Sequence, residues 1–311
     1  MTANVHGRLR AALFGLALCD AIGAPFEGRS RIDRSEINAW LDADETLRWT
    51  DDTHMALVLA RVLRDAGGVL DQQRLGDAFA AAYAAEPWRG YGAGPPRVFE
   101  LARRGIPYVE AAGSLFGNTG SFGNGAAMRV TPVALGTAGD EVRARALAIQ
   151  QAEVTHTHIE AVDGAVFVAT ALCHLARIPG GRADLRAALH GAGQLLAGEV
   201  IRAEIRSVLD LDTHDGDVIA AVRARGTGVA ARESVPAAVA ALLRGHDLIS
   251  TLVTAVELGG DTDTIAAMAG ALAGAVYGED ALSPRLLERL EAREEIGELA
   301  DALLPSTPKD G

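Results

Sequence analysis

Lysine is nearly absent from this sequence of 311 residues, in which Lys309 is the single lysine and arginine carries almost all of the positive charge. The 29 Lys and Arg residues face 41 Asp and Glu residues, so the formal net charge is -12 at pH 7. A chain this acidic does not hold nucleic acid or another polyanion through its overall field. We therefore expect any contact with a phosphate group to be local.

Cysteine and long apolar runs are scarce as well. Cys19 and Cys173 are the only cysteines, and both lie in segments rich in Ala and Leu, which is typical of reduced core thiols in a cytoplasmic protein. Arginines precede the apolar run at residues 11–19, as in a secretion signal, but the large Leu18 stands where a cleavage site needs a small residue. No run reaches the ~18 apolar residues of a membrane span. We therefore expect a cytoplasmic monomer without membrane contact.

Residues that favour strands are few too. Aromatic residues make up 5% of the chain and hydrophobic residues 49%, and Ala- and Leu-rich segments without a period of two favour helices over strands. The sequence predicts an all-α fold, a single compact multi-helix domain over residues 1–304 with a polar tail at 305–311. Helical periodicity predicts helices over residues 8–22, 51–66, 71–85, 126–135, 140–153, 158–177, 183–209, 234–245, 247–258, 264–277 and 284–303.

Two of the predicted helices begin with the same kind of acidic sequence. Residues 50–53 read Thr-Asp-Asp-Thr, and residues 259–264 read Gly-Gly-Asp-Thr-Asp-Thr. Helix capping explains either cluster alone, because Thr and Asp side chains accept hydrogen bonds from the free N–H groups of a first turn. Together the clusters offer more oxygen atoms than capping uses. Four carboxylates brought together would repel one another unless a multivalent cation neutralised them, and a ligand set of oxygen atoms favours Mg²⁺ or Mn²⁺ over zinc.

A glycine-rich loop leads into another predicted helix. Residues 117–125 contain four glycines in nine positions, so the backbone can approach a ligand closely. The N–H groups at the following helix start are suited to a phosphate, although a plain flexible connection is the alternative. No Gly-Lys-Ser/Thr follows, as it would in a Walker loop, and no strand precedes the loop, as it would in a dinucleotide-binding βαβ unit.

Isolated candidates remain outside these clusters. Glu27 lies on a loop, where a carboxylate serves as a general base, as a gate or as a plain surface charge. His156 and His158 are two residues apart and do not share a helix face, so they are not expected to hold zinc as a pair. Glycines at positions 270, 274 and 278 predict a stripe for close helix packing. Regions 85–116 and 210–233 are expected at the rim of a cleft.

In chain order, these segments resemble the ADP-ribosylglycohydrolase family, which includes dinitrogenase-reductase-activating glycohydrolase and hydrolases of ADP-ribosylated arginine or serine. The specific part of the resemblance is the pair of acidic clusters in one all-α chain. Cys19 departs from the pattern, because the family often has glycine before the following aspartate. The blocks that carry the resemblance are residues 20–23 with Glu27, then 50–53, 120–132, 155–156 and 259–278.

The resemblance implies a dinuclear site for two Mg²⁺ or Mn²⁺ ions in a central cleft. Its implied metal ligands are Thr50, Asp51, Asp52, Asp261, Asp263 and Thr264. Its implied catalytic residues are Glu27, Asp52 and Asp261. Its implied contacts with ADP-ribose come from Gly120, Ser121, Phe122, Gly123, Asn124, Gly125, Met128 and His156.

The implied activity is metal-dependent hydrolysis of the N- or O-glycosidic bond that joins ADP-ribose to an arginine or serine side chain or to another acceptor. The implied partners are ADP-ribose and ADP-ribosylated proteins, with nucleic acid only as an ADP-ribosylated substrate. Two alternatives stay open: a family member that binds ADP-ribose without cutting it, and a two-metal hydrolase of a small ADP-ribose derivative. No motif in the sequence selects the acceptor, the metal or the acid that protonates the leaving group.

Overall fold

The structure, a computed structural model, describes residues 4–179, 182–211 and 218–304. Within these ranges it contains helices and two isolated bridges, Leu47–Leu290 and Gly123–Ala230, but no strand, so the all-α prediction is confirmed. The predicted tail at 305–311 lies outside the described residues. The helices are α1 (Val5–Gly23), α2 (Arg34–Asp42), α3 (Asp51–Asp65), α4 (Gln72–Ala85), α5 (Gly94–Arg103), α6 (Tyr108–Asn118), α7 (Gly125–Met128), α8 (Thr131–Gly136), α9 (Glu141–Glu153), α10 (Ile159–Leu175), α11 (Arg182–Gly193), α12 (Val200–Leu209), α13 (Val218–Arg223), α14 (Ala231–Arg244), α15 (Leu248–Leu258), α16 (Thr262–Tyr277), α17 (Pro284–Arg289) and α18 (Arg293–Leu303).

Several helix boundaries differ from the prediction. The segments predicted as single helices over 126–135, 183–209 and 284–303 are each two helices; in the last case Ala292, with φ of 56°, separates α17 from α18. Four helices, α2, α5, α6 and α13, are additional to the prediction. The start of α5 contains two prolines, which are typical of loops but are also tolerated in a first helical turn. In α5, these residues predicted a loop, although the apolar side chains of the helix are buried.

The centre of the fold is an antiparallel contact between α1 and α16. A Cβ atom placed on Gly15 would lie 2.2 Å from the Gly270 carbonyl oxygen, and one placed on Gly274 would lie 2.4 Å from that of Ala11. Backbones this close require glycine at the crossing. The predicted packing stripe is therefore confirmed at Gly270 and Gly274, whereas Gly278 ends α16 with a positive φ of 75°.

This antiparallel register decides where the acidic residues lie. A Cβ atom on Gly23, at the end of α1, would lie 2.6 Å from the carbonyl oxygen of Thr262, at the start of α16. The C-terminal end of α1 and the loop after it are therefore brought against the second acidic cluster. Helices α10, α14 and α15 also pack on α16, and α3 packs on α1, so that the first acidic cluster reaches the same end of the core.

The stretch Val5–Phe26, which contains α1, is long and apolar enough to cross a membrane by length and composition, contrary to the sequence-based expectation. In the folded chain, 83% of its apolar window is buried inside the protein. A buried core helix passes the same test as a membrane span, and the packing of α1 on α16 is that of a core helix. Cys19 and Cys173 are both buried and free, as the sequence predicts.

The α1–α16 crossing generates a stability prediction. We expect Gly270→Ala to lower the free energy of unfolding by about 2–3 kcal/mol, because the new methyl group overpacks a contact between two backbones. The matched control is Gly113→Ala in α6, where the new Cβ atom would have only the Thr157 hydroxyl, at 3.8 Å, as a close neighbour. We expect the control to leave stability unchanged or raise it by up to about 1 kcal/mol. Urea unfolding followed by circular dichroism measures both, and equal midpoints for Gly270→Ala and wild type would contradict the close crossing.

Candidate active site

A cleft with a volume of about 340 Å³ opens where the end of α1 meets the starts of α3, α7 and α16. Its lining includes most of the predicted site residues, namely Glu27, Asp51, Asp52, Ser121, Gly123, Asn124, Gly125, Met128, His156, Asp261, Asp263 and Thr264. The lining also includes Gly90, Gly92, Ala93, Pro95 and Val229, which belong to the two regions expected near the cleft. Three predicted site residues, Thr50, Gly120 and Phe122, lie beside the cleft rather than in its lining.

The two acidic clusters, some two hundred residues apart in sequence, meet in this cleft. The Thr264 hydroxyl donates to Asp52 Oδ2 at 3.3 Å. Glu27, Asp261 and Asp263 each place one carboxylate oxygen within 4.8 Å of the others. Residues from three remote segments therefore present oxygen atoms to one small volume.

Asp20 holds the first cluster in place from the last turn of α1. Its buried carboxylate accepts hydrogen bonds from the Thr50 hydroxyl at 2.8 Å and from the Thr53 hydroxyl at 2.6 Å. It also accepts the backbone N–H groups of both threonines. In the sequence, the only signal for Asp20 was its position in the block at residues 20–23 that carries the family resemblance. Asp20 therefore caps α3 from a neighbouring helix and orients residues 50–53.

Burial and mutual repulsion raise the pKa values of the clustered carboxyls. Burial, together with Asp20 and Asp261 nearby, raises the pKa of Asp51 to about 8. Burial and the neighbouring Asp261 raise the pKa of Asp263 to about 9, and burial and Asp20 raise the pKa of Asp52 well above its usual range. The pKa of Glu27 is also raised, mainly by burial and to a smaller extent by the negative charge of Asp261. These groups cannot all be ionised at neutral pH without added positive charge.

The chain does not supply that charge through ion pairs. Within the described residues, no Arg or Lys side chain forms a salt bridge with Asp51, Asp52, Asp261 or Asp263. Asp52 Oδ1 is buried and has no hydrogen-bond partner among these residues. A hard divalent cation prefers carboxylate and hydroxyl oxygens as its ligands. The cleft offers such oxygens, and Asp52 Oδ1 among them makes no hydrogen bond within the described residues. The residues present therefore fit a Mg²⁺ or Mn²⁺ site.

Arg89 anchors the loop that supports Asp51. The Asp51 backbone N–H donates to the Arg89 carbonyl oxygen at 2.7 Å. The Arg89 guanidinium stacks 3.8 Å above the Trp49 ring and forms a two-bonded ion pair with Glu291, at 2.8 and 2.9 Å. Arg89 was missed because its partners come from distant segments, and no local pattern marks such a contact. The start of α3 is thus fixed to the junction between α17 and α18.

The glycine-rich loop is shaped by close contacts on its inner side. Gly120 has a positive φ of 73°, and a Cβ atom there would lie 2.1 Å from the Thr157 hydroxyl. A Cβ atom on Gly125 would lie 2.9 Å from the His156 ring. The Asn124 backbone N–H donates to the Val229 carbonyl oxygen at 2.9 Å. Glycines therefore let this loop lie between two neighbouring segments, and α7, which follows, is a single turn.

His156 is a neutral side chain in the cleft wall. Burial and the nearby Arg129 guanidinium lower the pKa of His156 to about 3, and its Nδ1 lies 2.7 Å from the Thr155 hydroxyl. Arg129 is itself fully buried and donates to Gln151 Oε1 and to the Gln151 carbonyl oxygen, both at 2.8 Å. His156 can therefore offer a hydrogen bond to a ligand but not a positive charge.

The aromatic side chain that lines the cleft is Phe116, and Phe122, an expected contact of ADP-ribose, lies beside the cleft. Phe122 is 42% exposed and faces the His158 ring at 6.0 Å, outside the lining of the cleft. Phe116 lines the cleft and is 48% exposed. It has a positive φ of 51°, at the point where the backbone of α6 leaves helical geometry. Phe116 was missed because the sequence predicts a loop there and nothing distinguishes one exposed phenylalanine from another.

Comparison with known proteins agrees with this geometry. A family model described as ADP-ribosylglycohydrolase matches residues 1–311. The chain is 33% identical to ADP-ribosylhydrolase ARH3 of Bos taurus, over 95% of this chain and 92% of the relative. It is 29% identical to ADP-ribosyl-[dinitrogen reductase] glycohydrolase of Rhodospirillum rubrum, over 97% of each chain. A solved structure titled ADP-ribosylglycohydrolase-related protein complex superposes with a TM-score of 0.75 at 29% identity, covering 96% of this chain and 97% of the other.

The family model covers the whole chain, and the relatives align over nearly their full length. The similar solved structure superposes over nearly the whole length of both chains. The chain therefore belongs to the ADP-ribosylglycohydrolase family and is an enzyme of ADP-ribosyl hydrolysis.

Proposed function

We propose that this protein uses two divalent cations, Mg²⁺ or Mn²⁺, to hydrolyse the glycosidic bond between ADP-ribose and an arginine side chain, a serine side chain or another acceptor. The observation that supports the proposal is the meeting in one cleft, beside a glycine-rich loop, of four buried aspartates that have no ion-pair partner among the described residues. The name of the Rhodospirillum rubrum relative specifies a protein as the carrier of ADP-ribose, which supports a modified protein as substrate. The proposed metal ligands are Thr50, Asp51, Asp52, Asp261, Asp263 and Thr264.

Divalent cations held by the two acidic clusters would supply Lewis acidity, which would lower the pKa of a bound water, and their coordination would orient the ribose hydroxyls. The chain's own residues then divide the remaining work. The diphosphate is proposed to lie beside the glycine-rich loop, in the same cleft that Phe116 and His156 line. Bond cleavage at C1 of the ribose passes through an oxocarbenium-like state.

We propose that Glu27 accepts a proton from the attacking water. Its carboxylate lies near Asp261 and Asp263, on a segment held by two backbone hydrogen bonds: Gly28 N–H to the Gly260 carbonyl oxygen at 2.8 Å, and Gly260 N–H to the Arg29 carbonyl oxygen at 2.9 Å. A raised pKa brings a carboxylate closer to the range in which proton transfer is efficient. Asp52 and Asp261 are proposed to assist from the metal site.

We further propose a cytoplasmic protein that is a monomer. The cytoplasmic location is proposed because both cysteines are buried, unpaired thiols, which suits a reducing compartment.

The first test of the proposal removes one carboxylate. We expect Asp261→Asn to lower the rate of ADP-ribose release by at least about 100-fold, because one metal ligand loses its charge. The measurement is chromatography of free ADP-ribose from peptides modified on arginine or on serine, with saturating Mg²⁺ and with chelator. Asp301→Asn is the matched control, because Asp301 pairs with Arg10 on the surface. Release of ADP-ribose at the wild-type rate by a folded Asp261→Asn protein would contradict the metal mechanism.

The second test uses the pH dependence of stability without metal. Between pH 6.5 and 8.5 the unfolded chain has ionised Asp carboxyls, whereas Asp51, with a pKa of about 8, and Asp263, with a pKa of about 9, still bind protons in the folded state. The folded state binds more protons, so the free energy of unfolding falls as pH rises. We expect the melting temperature of chelated protein to drop by at least ~3 °C across this window, which corresponds to about 1 kcal/mol or more in a chain of this size.

Saturating Mg²⁺ should remove most of this drop, because bound cations stabilise the ionised carboxylates. The double variant Asp51→Asn, Asp263→Asn is the control and should show a flatter profile in chelator than the wild type. Differential scanning calorimetry at several pH values gives both curves. A melting temperature that stays constant or rises between pH 6.5 and 8.5 in chelated wild type would show that the carboxyls are not crowded as described.

A further inference from the structure

Asn124 of the glycine-rich loop is joined directly to a carboxylate of the acidic cluster. Its side-chain Nδ2 donates to Asp261 Oδ2 at 2.6 Å and to the Ser234 hydroxyl at 3.0 Å. Asn124 is 6% exposed, Asp261 is 7% exposed and Ser234, on α14, is fully buried. The contact is therefore a buried chain of polar groups that runs from α14 through the loop to the start of α16.

The orientation of the Asn124 amide follows from its neighbours. The Ser234 hydroxyl donates its own hydrogen to the Ala230 carbonyl oxygen at 3.2 Å, so it accepts from Asn124. A flipped amide would place Oδ1 of Asn124 2.6 Å from a carboxylate oxygen, and two acceptors at that distance repel each other. Both amide hydrogens of Asn124 are thus used within the protein, and neither remains for a phosphate.

A second connection joins the same two residues through the backbone. The Asn124 N–H donates to the Val229 carbonyl oxygen at 2.9 Å, and the Asp261 N–H donates to the Thr227 carbonyl oxygen at 2.8 Å. Residues 227–229 therefore tie the backbone of Asn124 to that of Asp261. Ser121, by contrast, accepts the Gly123 N–H at 3.2 Å within the loop itself.

We propose that Asn124 is a positioning residue for the metal ligand Asp261, and that Ser234 supports it from behind. The proposal rests on the proposed function, because it takes Asp261 as a ligand. A hydrogen bond to Oδ2 fixes the rotation of the Asp261 carboxylate, so Oδ1 would be the oxygen offered to a cation. Such partners behind metal ligands commonly change metal affinity by about 10- to 100-fold when they are removed. This role differs from the substrate contact expected of Asn124 from the sequence.

The test measures metal binding in the absence of any nucleotide. Isothermal titration calorimetry with Mn²⁺ alone, and electron paramagnetic resonance of free Mn²⁺ as a second readout, give dissociation constants. We expect Asn124→Ala to raise the Mn²⁺ dissociation constant by about 10- to 100-fold. We expect a smaller rise, about 3- to 10-fold, in Ser234→Ala, because the Asn124 amide loses one of its two acceptors but keeps Asp261.

Thr170→Ala in α10 is the matched control for Ser234→Ala. Thr170 is fully buried, and its hydroxyl donates to the carbonyl oxygen four residues earlier, Val166, at 2.8 Å, as Ser234 does to Ala230. The two substitutions therefore remove the same kind of hydrogen bond from a helix, but only one touches Asn124. We expect Thr170→Ala to bind Mn²⁺ as the wild type does.

The outcomes separate this inference from the function on which it rests. A wild-type protein that takes up no Mn²⁺ overturns both. If the wild type binds Mn²⁺ and Asn124→Ala binds it equally well while losing affinity for ADP-ribose, Asn124 is a substrate contact only and the inference is wrong. Should Asn124→Ala fail to fold, Ser234→Ala decides the matter. Metal affinity in Ser234→Ala equal to that of Thr170→Ala overturns the inference, and a weaker affinity supports it.

Discussion

Carboxylates buried together cannot all carry charge unless a cation lies among them. Asp51, Asp52, Asp261 and Asp263 are each less than a tenth exposed, and the pKa values of three of them are raised by burial and by one another. Apolar residues at these positions would make the fold more stable, because isolated buried charges are costly. Their retention in one cleft is understood once divalent cations are included in the site.

The rest of the fold serves to bring these oxygen atoms together and to hold them. The glycine crossing between α1 and α16 sets the register that places Asp20 and Glu27 beside the second cluster. Asp20 then orients residues 50–53 through four different donor groups. Arg89 fixes the start of α3 to the chain near Glu291. The charge of Arg89 is already paired with Glu291, and Asp20 accepts only neutral donors, so its charge adds to the negative charge of the cluster.

The sequence predicted the helical class and the residues of the two acidic clusters, because composition and helix-start patterns are local properties. It did not predict the supports. Asp20 and Arg89 act through partners that are distant in sequence, and Phe116 reaches the cleft only because the backbone of α6 leaves helical geometry there. The resemblance implied a contact between Phe122 and ADP-ribose; in the structure the Phe122 ring lies against the His158 ring. Three predicted helices are each two helices in the structure. Their apolar periodicity continues across the break in the backbone, so the sequence pattern does not show the break.

The most direct measurement of the central claim is the number of protons released when Mn²⁺ binds at pH 7. Calorimetric titrations in buffers of different ionisation enthalpy give both the stoichiometry and the proton count. We expect two ions per chain and the release of at least one proton, because carboxyls with pKa values of about 8 and 9 must ionise to bind metal. Saturable binding without proton release, or no saturable binding, would contradict it.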